Sequence, residues 1–360
     1  GLGYWAGLST ACVGFAEVLQ IQCIDEISEG GHSPQIFLFD FGWFGVSLGV
    51  GVIQRYRFAG LFGRPPRKPG SPLTQQDMDI AASVQAVIEE VILTMTRSLA
   101  QEYNIPNLSM AGGVALNCVA NGKILQNGKF ENIWIQPAAG DAGGSLGAAL
   151  GLWHIELKKN RTINNKDSMN GSYLGPEYSQ DEVEKKLKEL GANFEVLDNE
   201  QLIEKTALEL SNGKALGWFQ GRMEFGPRAL GCRSILGDAR SENMQKTLNL
   251  KVKYRESFRP FAPSIIREDL PTWFDLDCDS PYMLLVSDVA NEKRRIMTEE
   301  EKSLFGIDKL NIKRSDIPAV THVDYSARVQ TVHRETNPKY YKLISEFKKK
   351  TGCPVIVNLS

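Results

Sequence analysis

Histidine is scarce in this chain, with four among 360 residues, and the six cysteines are scattered without a Cys-x-x-Cys pair. That spacing excludes an ordinary zinc module and fits reduced thiols in a cytoplasmic protein better than a disulfide framework. Excess charge of one sign is lacking too: 41 basic residues stand against 43 acidic ones, a net charge of −2. No broad basic face for a nucleic-acid backbone is expected from that balance. Long hydrophobic runs are nearly absent. Only Ile36 to Ile53 approaches the length of a membrane span, and Asp40, Ser47 and four glycines interrupt it. Two buried strands joined by a turn account for it better. No basic stretch leads an apolar one near Gly1, so no secretory leader is expected.

What is present begins with 42% hydrophobic and 23% charged residues, a globular composition with room for two domains. One stretch says more than any other. Gly221 to Ser234 (Gly-Arg-Met-Glu-Phe-Gly-Pro-Arg-Ala-Leu-Gly-Cys-Arg-Ser) sets three arginines and one glutamate among three glycines. It leaves the apolar segment Ala215 to Phe219, which reads as a buried strand. Glycine lets backbone amides approach a ligand, and arginine presents a fork of donors matched to phosphate or carboxylate oxygens. A second basic cluster follows at Lys251, Lys253, Arg255 and Arg259. Two such clusters in a chain of near-zero net charge point to one groove that holds a small polyanion.

The earlier part of the chain reads as α/β. Ile80, Val84, Val87, Ile88, Val91, Met95 and Leu99 recur at helical steps behind Thr74, an expected N-cap. Asn107 to Ala111 reads as a strand running into Gly112-Gly113, with a helix from Ala115 to Leu125. Ile133 to Ile135 reads as another, running into Gly140-Asp-Ala-Gly-Gly144, and the small residues after Ser145 suit a helix packed on a sheet. Strand–glycine turn–helix thus occurs twice, and two such turns facing one cleft suggest a nucleotide. Lys158 to Gly171 is polar and reads as a linker. Beyond it, Ser179 and Glu182 form a capping-box pair with Gly191 as terminator, and another helix is expected near Gln201 to Leu210.

Taken together, these segments resemble the carbamoyltransferases that build O-carbamoylated natural products, the nodulation-factor, cephem and aminoglycoside enzymes. The resemblance is carried by Gly63-Arg-Pro-Pro-Arg67, Leu73-Thr-Gln75, Asp79 to Gln85, Ala111 to Asn117 and Gln136 to Gly144. Later it is carried by the arginine loop, Arg255 to Pro263, His322-Val-Asp324 and Ala327 to Val332. It implies a partial actin-like ATPase-type (ASKHA) domain over 56–165 and a YrdC-like α/β domain over 172–360, with residues 1–55 unmatched. It also implies a piece of a longer enzyme. Such an enzyme forms carbamoyl adenylate from carbamoyl phosphate and ATP, then passes the carbamoyl group to a hydroxyl of a small-molecule acceptor near iron or another divalent metal. A tRNA threonylcarbamoyl-type transferase and a non-catalytic nucleotide-binding protein are the competing readings.

By matching motif, the resemblance makes Arg222, Arg228, Lys251, Arg255 and Arg328 the residues that hold carbamoyl phosphate and stabilise the developing charge. Gly112, Gly113, Asn117, Gly140 and Gly143 would line the nucleotide, with Arg233, Arg259, His322 and Ser360 as further ligand contacts. Arg233 or Arg259 has an alternative in pairing with Glu224 or Glu256, and His322 in a structural role. Asp141 would be a metal ligand, or else the cap of the helix that follows. The family's His-x-x-x-His pair is absent here, so weak metal binding and little complete carbamoyl transfer are expected.

Overall fold

A computed structural model describes residues 18–23, 35–41, 59–65, 67–68, 71–162, 167–254, 259–304, 307–310 and 312–359. The chain divides into two compact units, Gly1–Gly144 and Ser145–Ser360. Among the described residues no helix is long and apolar enough to cross a membrane.

The first unit holds the sheet β1 (Val18–Cys23), β2 (Gln35–Phe41), β3 (Asn107–Met110) and β4 (Asn132–Ile135), in that order. β1 runs antiparallel to β2, whereas β2, β3 and β4 are parallel. The described part of the long apolar run is therefore a strand, and residues 42–53 lie outside the described residues. Helix α1 (Gln75–Tyr103) starts where the sequence places it. Thr74 Oγ1 accepts the Asp77 N–H and the Asp77 carboxylate accepts the Thr74 N–H at 2.8 Å, a capping box that also lowers the Asp77 pKa. Ile92 and Leu99 turn inward, and buried Glu89 pairs with Lys123 on α2 (Cys118–Gln126). The helix expected from Ala115 is a 3-10 turn, Gly113–Leu116, before α2, because Asn117 takes the N-cap position and accepts the Ala120 N–H at 3.1 Å.

Helix α3 (Asp141–Gly151) buries none of its residues, so the tight packing expected of its small side chains is not realised. The polar segment expected as a linker also ends differently. Met169, Gly171 and Ser172 are buried in the second unit, where Phe225 donates its N–H to Ser172 O at 2.7 Å.

The second unit is built on a six-stranded sheet ordered β5 (Leu216–Phe219), β6 (Arg233–Asp238), β10 (Val355–Leu359), β7 (Ala262–Ile266), β9 (Ser326–Val332), β8 (Leu285–Asp288). Only β7 and β9 are parallel. Helix α4 (Gln180–Glu189) begins at the Ser179–Glu182 capping box and ends before Gly191, whose φ is 65°. Helix α5 (Asn199–Ser211) packs against α6 (Pro338–Thr351). Ala207, Leu210, Tyr340, Leu343, Ile344 and Phe347 are all fully buried there. Each large apolar side chain so buried contributes about 1.5–3 kcal/mol. This core fixes β10, the central strand, on which one wall of the site rests.

Candidate active site

The arginine loop leaves β5 and returns as β6, and side chains satisfy much of its backbone from Ala229 to Arg233. Glu224, 6% exposed, accepts the N–H groups of Leu230 at 2.8 Å, Cys232 at 2.8 Å and Arg233 at 3.1 Å through one oxygen, Oε1. A charged acceptor shared among three amides gives a strong, geometrically specific lock. The carbonyls of the same loop are met from elsewhere. Asn358 Nδ2 donates to Ala229 O at 3.1 Å, and Gln330 Nε2 and Tyr173 OH donate to Leu230 O at 3.0 and 2.9 Å. Trp218 Nε1 and Gln220 Nε2 donate to Gly231 O at 3.1 and 2.8 Å. Gly231 has φ 100°, and a Cβ there would sit 2.3 Å from Tyr340 Cδ1, so only glycine fits.

Beside this loop lies a pocket of about 300 Å³ lined by Arg228, Arg259, Arg328, Phe261, Met283 and Asn358, among others. Three arginines therefore line one space. The Arg259 carbonyl is held by Asn249 Nδ2 at 2.9 Å and by Gln245 Nε2 at 3.2 Å. Among the described residues no carboxylate pairs with Arg328, and its Nε is buried without a hydrogen-bond partner. Met283 forms the wall in a left-handed conformation, φ 58°, which a side-chain-bearing residue adopts only when its surroundings impose it. Its neighbour Tyr282 donates its hydroxyl to Asp167, and burial with that bond raises the phenol's pKa.

The expected site residues separate accordingly. Arg228, Arg259 and Arg328 converge. Arg233 does not reach the pocket. Its guanidinium donates to the carbonyls of Gln220, Cys232, Pro176 and Gly221 and lies 3.6 Å from the Phe219 ring centre. Its side chain does not pair with Glu224, which takes its backbone N–H instead; Glu256 lies outside the described residues. Arg222 lies on an open surface with Glu177 and Tyr178, 3.7 Å from the Glu177 carboxylate, and Lys251 is exposed away from the pocket wall. His322 serves its own turn: its N–H donates to Ser326 O at 2.8 Å, and Nδ1 lies 3.0 Å from Ser326 Oγ. Burial and the nearby charges of Arg328 and Arg314 lower its pKa, against the pull of Asp324. Arg255 and Ser360 lie outside the described residues.

In the first unit the two glycine turns do meet, since Gly112 N–H donates to Ala139 O at 2.8 Å. Local closure accounts for the residues proposed to line a nucleotide. Gly112 has φ 98°, a Cβ on Gly143 would stand 2.1 Å from Ala138 O, Gly140 O accepts the Gly143 N–H at 3.0 Å, and Gly113 opens the 3-10 turn. Asn117 is spent on its cap and on a two-way amide pair with Gln85. Among the described residues the donor set does not fit a metal. Asp141 is exposed at the first position of α3, and no group of three histidine, cysteine, aspartate or glutamate side chains occurs among the described residues.

Sequence reasoning missed Asn358 and Gln330 as parts of the site, and treated Glu224 only as a pairing partner. A signal existed for one of them: Asn358 is the single polar residue of a strand otherwise Val, Ile and Leu.

An α/β unit with three arginines around one small pocket has the donor chemistry that suits an anion. The chain belongs to the carbamoyltransferase family: residues 50–150 match the family's described Carbamoyltransferase N-terminus and residues 207–360 its Carbamoyltransferase C-terminus. It is 54% identical over 90% of its length to an uncharacterized protein of Synechocystis, covering 53% of that protein. To nodulation protein NolNO of Sinorhizobium fredii it is 40% identical over 82% of its length, covering 40% of that protein. To nodulation protein NolO of Bradyrhizobium diazoefficiens it is 38% identical over 82%, covering 50%. The chain spans about half the length of the curated relatives it matches.

Proposed function

We propose that the arginine pocket binds carbamoyl phosphate, and that the chain serves an O-carbamoyltransferase of about twice its length. The single observation behind this reading is the meeting of Arg228, Arg259 and Arg328 in one space of about 300 Å³. A phosphate carries enough oxygens to engage all three forks, and the remaining volume suits a group as small as a carbamoyl. The guanidiniums also stand where negative charge grows when a nucleophile attacks the carbamoyl carbon, so the same contacts lower that barrier. The Glu224 lock keeps Arg228 from spending energy on loop ordering at each turnover.

In the whole enzyme, water cleaves carbamoyl phosphate to carbamate and phosphate, and a carbamate oxygen then displaces pyrophosphate from the α-phosphorus of ATP to give carbamoyl adenylate. The carbamoyl group then passes to a hydroxyl of a small-molecule acceptor. The nodulation relatives favour a biosynthetic acceptor over a tRNA, as does the even balance of 41 basic and 43 acidic residues. ATP belongs to this reading through the resemblance alone, and no step is assigned to a metal.

Isothermal titration of the chain with carbamoyl phosphate tests the reading. Saturable binding in the wild type, lost in Arg328→Gln with an unchanged circular dichroism spectrum, is expected. No binding by a folded wild-type chain sinks it.

A further inference from the structure

Asn358 stands at the junction of the arginine loop and the central strand, and the hydrogen bonds around it fix which way its amide faces. Gln330 Nε2 donates to Leu230 O at 3.0 Å, which turns Gln330 Oε1 toward Ser264 Oγ at 2.5 Å and Asn358 Nδ2 at 2.8 Å. The second Asn358 amide proton goes to Ala229 O at 3.1 Å. Both neighbours of Nδ2 are acceptors, so the amide cannot be reversed without losing both bonds. That leaves Oδ1. In a residue only 1% exposed, on the wall of the pocket, it has no hydrogen-bond partner. A buried acceptor left unpaired in a folded protein calls for a specific reason, and a ligand is one.

Among the described residues, the other polar side chains of that wall belong to arginines, which only donate. They engage the oxygens of a bound anion and are indifferent to whether its acyl carbon carries an amino or a methyl group. An acceptor among them changes this. We propose that Asn358 is the specificity-determining residue of the pocket, accepting a hydrogen bond from the carbamoyl N–H of carbamoyl phosphate and so discriminating against acyl phosphates that lack one. This rests on the reading of the pocket as a carbamoyl phosphate site. Acetyl phosphate has the same charge and nearly the same shape, with a methyl group where the amino group stands. In its complex Oδ1 stays buried and unpaired.

The test is titration calorimetry of the full chain with freshly dissolved carbamoyl phosphate and acetyl phosphate. The wild type is expected to prefer the carbamoyl ligand by about 10- to 100-fold, the range for a buried polar group left unpaired by the wrong ligand. Asn358→Ala is expected to bring the two within about threefold of each other, mainly by weakening carbamoyl phosphate. If the alanine chain fails to fold by circular dichroism, Asn358→Ser carries the same comparison. Equal affinities in the wild type, or a preference kept by a folded Asn358 variant, overturn the assignment and leave the carbamoyl phosphate pocket standing. Failure of the folded wild type to bind either ligand removes both.

Discussion

Glu224 Oε1 lies 2.8 Å from the backbone nitrogen of Cys232, across eight residues of chain, and the same oxygen holds Leu230 and Arg233. One side chain thus closes the loop that carries Arg228. Glu224→Ala leaves three buried N–H groups without an acceptor and is expected to cost about 3–4 kcal/mol of stability. Glu224→Gln keeps an oxygen in place and is expected to cost about 1–2 kcal/mol, since only the charge assistance goes. Urea denaturation followed by circular dichroism separates the two, and equal losses would contradict the lock.

Glycines in left-handed conformation differ in what surrounds them. Gly231→Ala drives a Cβ into the Tyr340 ring and is expected to lose about 3 kcal/mol or more. Gly213→Ala has φ 79° with open space around it, so only backbone strain of about 1 kcal/mol applies. Thermal melts of the two variants should differ by several degrees in that order.

Arg233 and Arg328 are both arginines of family motifs, and the structure gives them different work. Arg233→Gln removes four carbonyl contacts and a ring stack and is expected to lower stability by about 2 kcal/mol. Arg328→Gln is expected to leave the melting temperature within about 2 °C, because no carboxylate among the described residues loses its partner, while carbamoyl phosphate affinity falls at least about tenfold. Calorimetry beside a melting curve reads both, and the reverse pattern would show that the two roles are exchanged.

Two thiols should resist chemistry. Burial and the nearby Glu224 carboxylate push the Cys232 pKa up to about 12, and burial pushes Cys353 up to about 12. Thiolate is the reactive form, so both should stay unmodified by iodoacetamide at about pH 8 until urea is added. Peptide mapping by mass spectrometry checks this; rapid labelling of either thiol in the folded chain would refute it.

Stability should depend on pH through His322. Its pKa is held below the ordinary 6.5, so just below pH 6.5 the unfolded chain carries the proton and the folded chain does not. Stability is therefore full above that value and falls as the pH drops through the window beneath it. Asp324, whose pKa is lowered, acts only at more acidic pH. Urea melts at about pH 7.5 and about pH 5.5 should show a smaller loss in His322→Asn than in the wild type. An identical loss would assign the effect to another group.

Local structure was legible wherever a short-range rule decides it. Thr74 and Ser179 cap their helices through side chains three residues away, and Gly191 ends α4 in the conformation glycine favours. The arginine loop announced itself by composition. Its partners did not, because Gln330 and Asn358 reach it across separations of 100 and 129 residues. Charge also carries no direction in a sequence. Arg222, Arg228 and Arg233 stand within one motif, yet only Arg228 faces the pocket, since the turn at Gly226, φ 131°, and the return into β6 aim the three apart. Residues 167–171, the end of the polar segment, looked like a tether, yet Asp167 accepts from Tyr282, and Met169 and Gly171 are buried.

The position of β10 has a consequence for synthesis. It is the latest of the six strands to emerge from a ribosome, and it seats itself between β6 and β7, which were made long before. Until residue 355 is made, β6 and β7 each lack the strand that pairs with both of them. That strand brings Asn358. The pocket wall that Asn358 and Leu359 supply is therefore the last part of this unit to be synthesised.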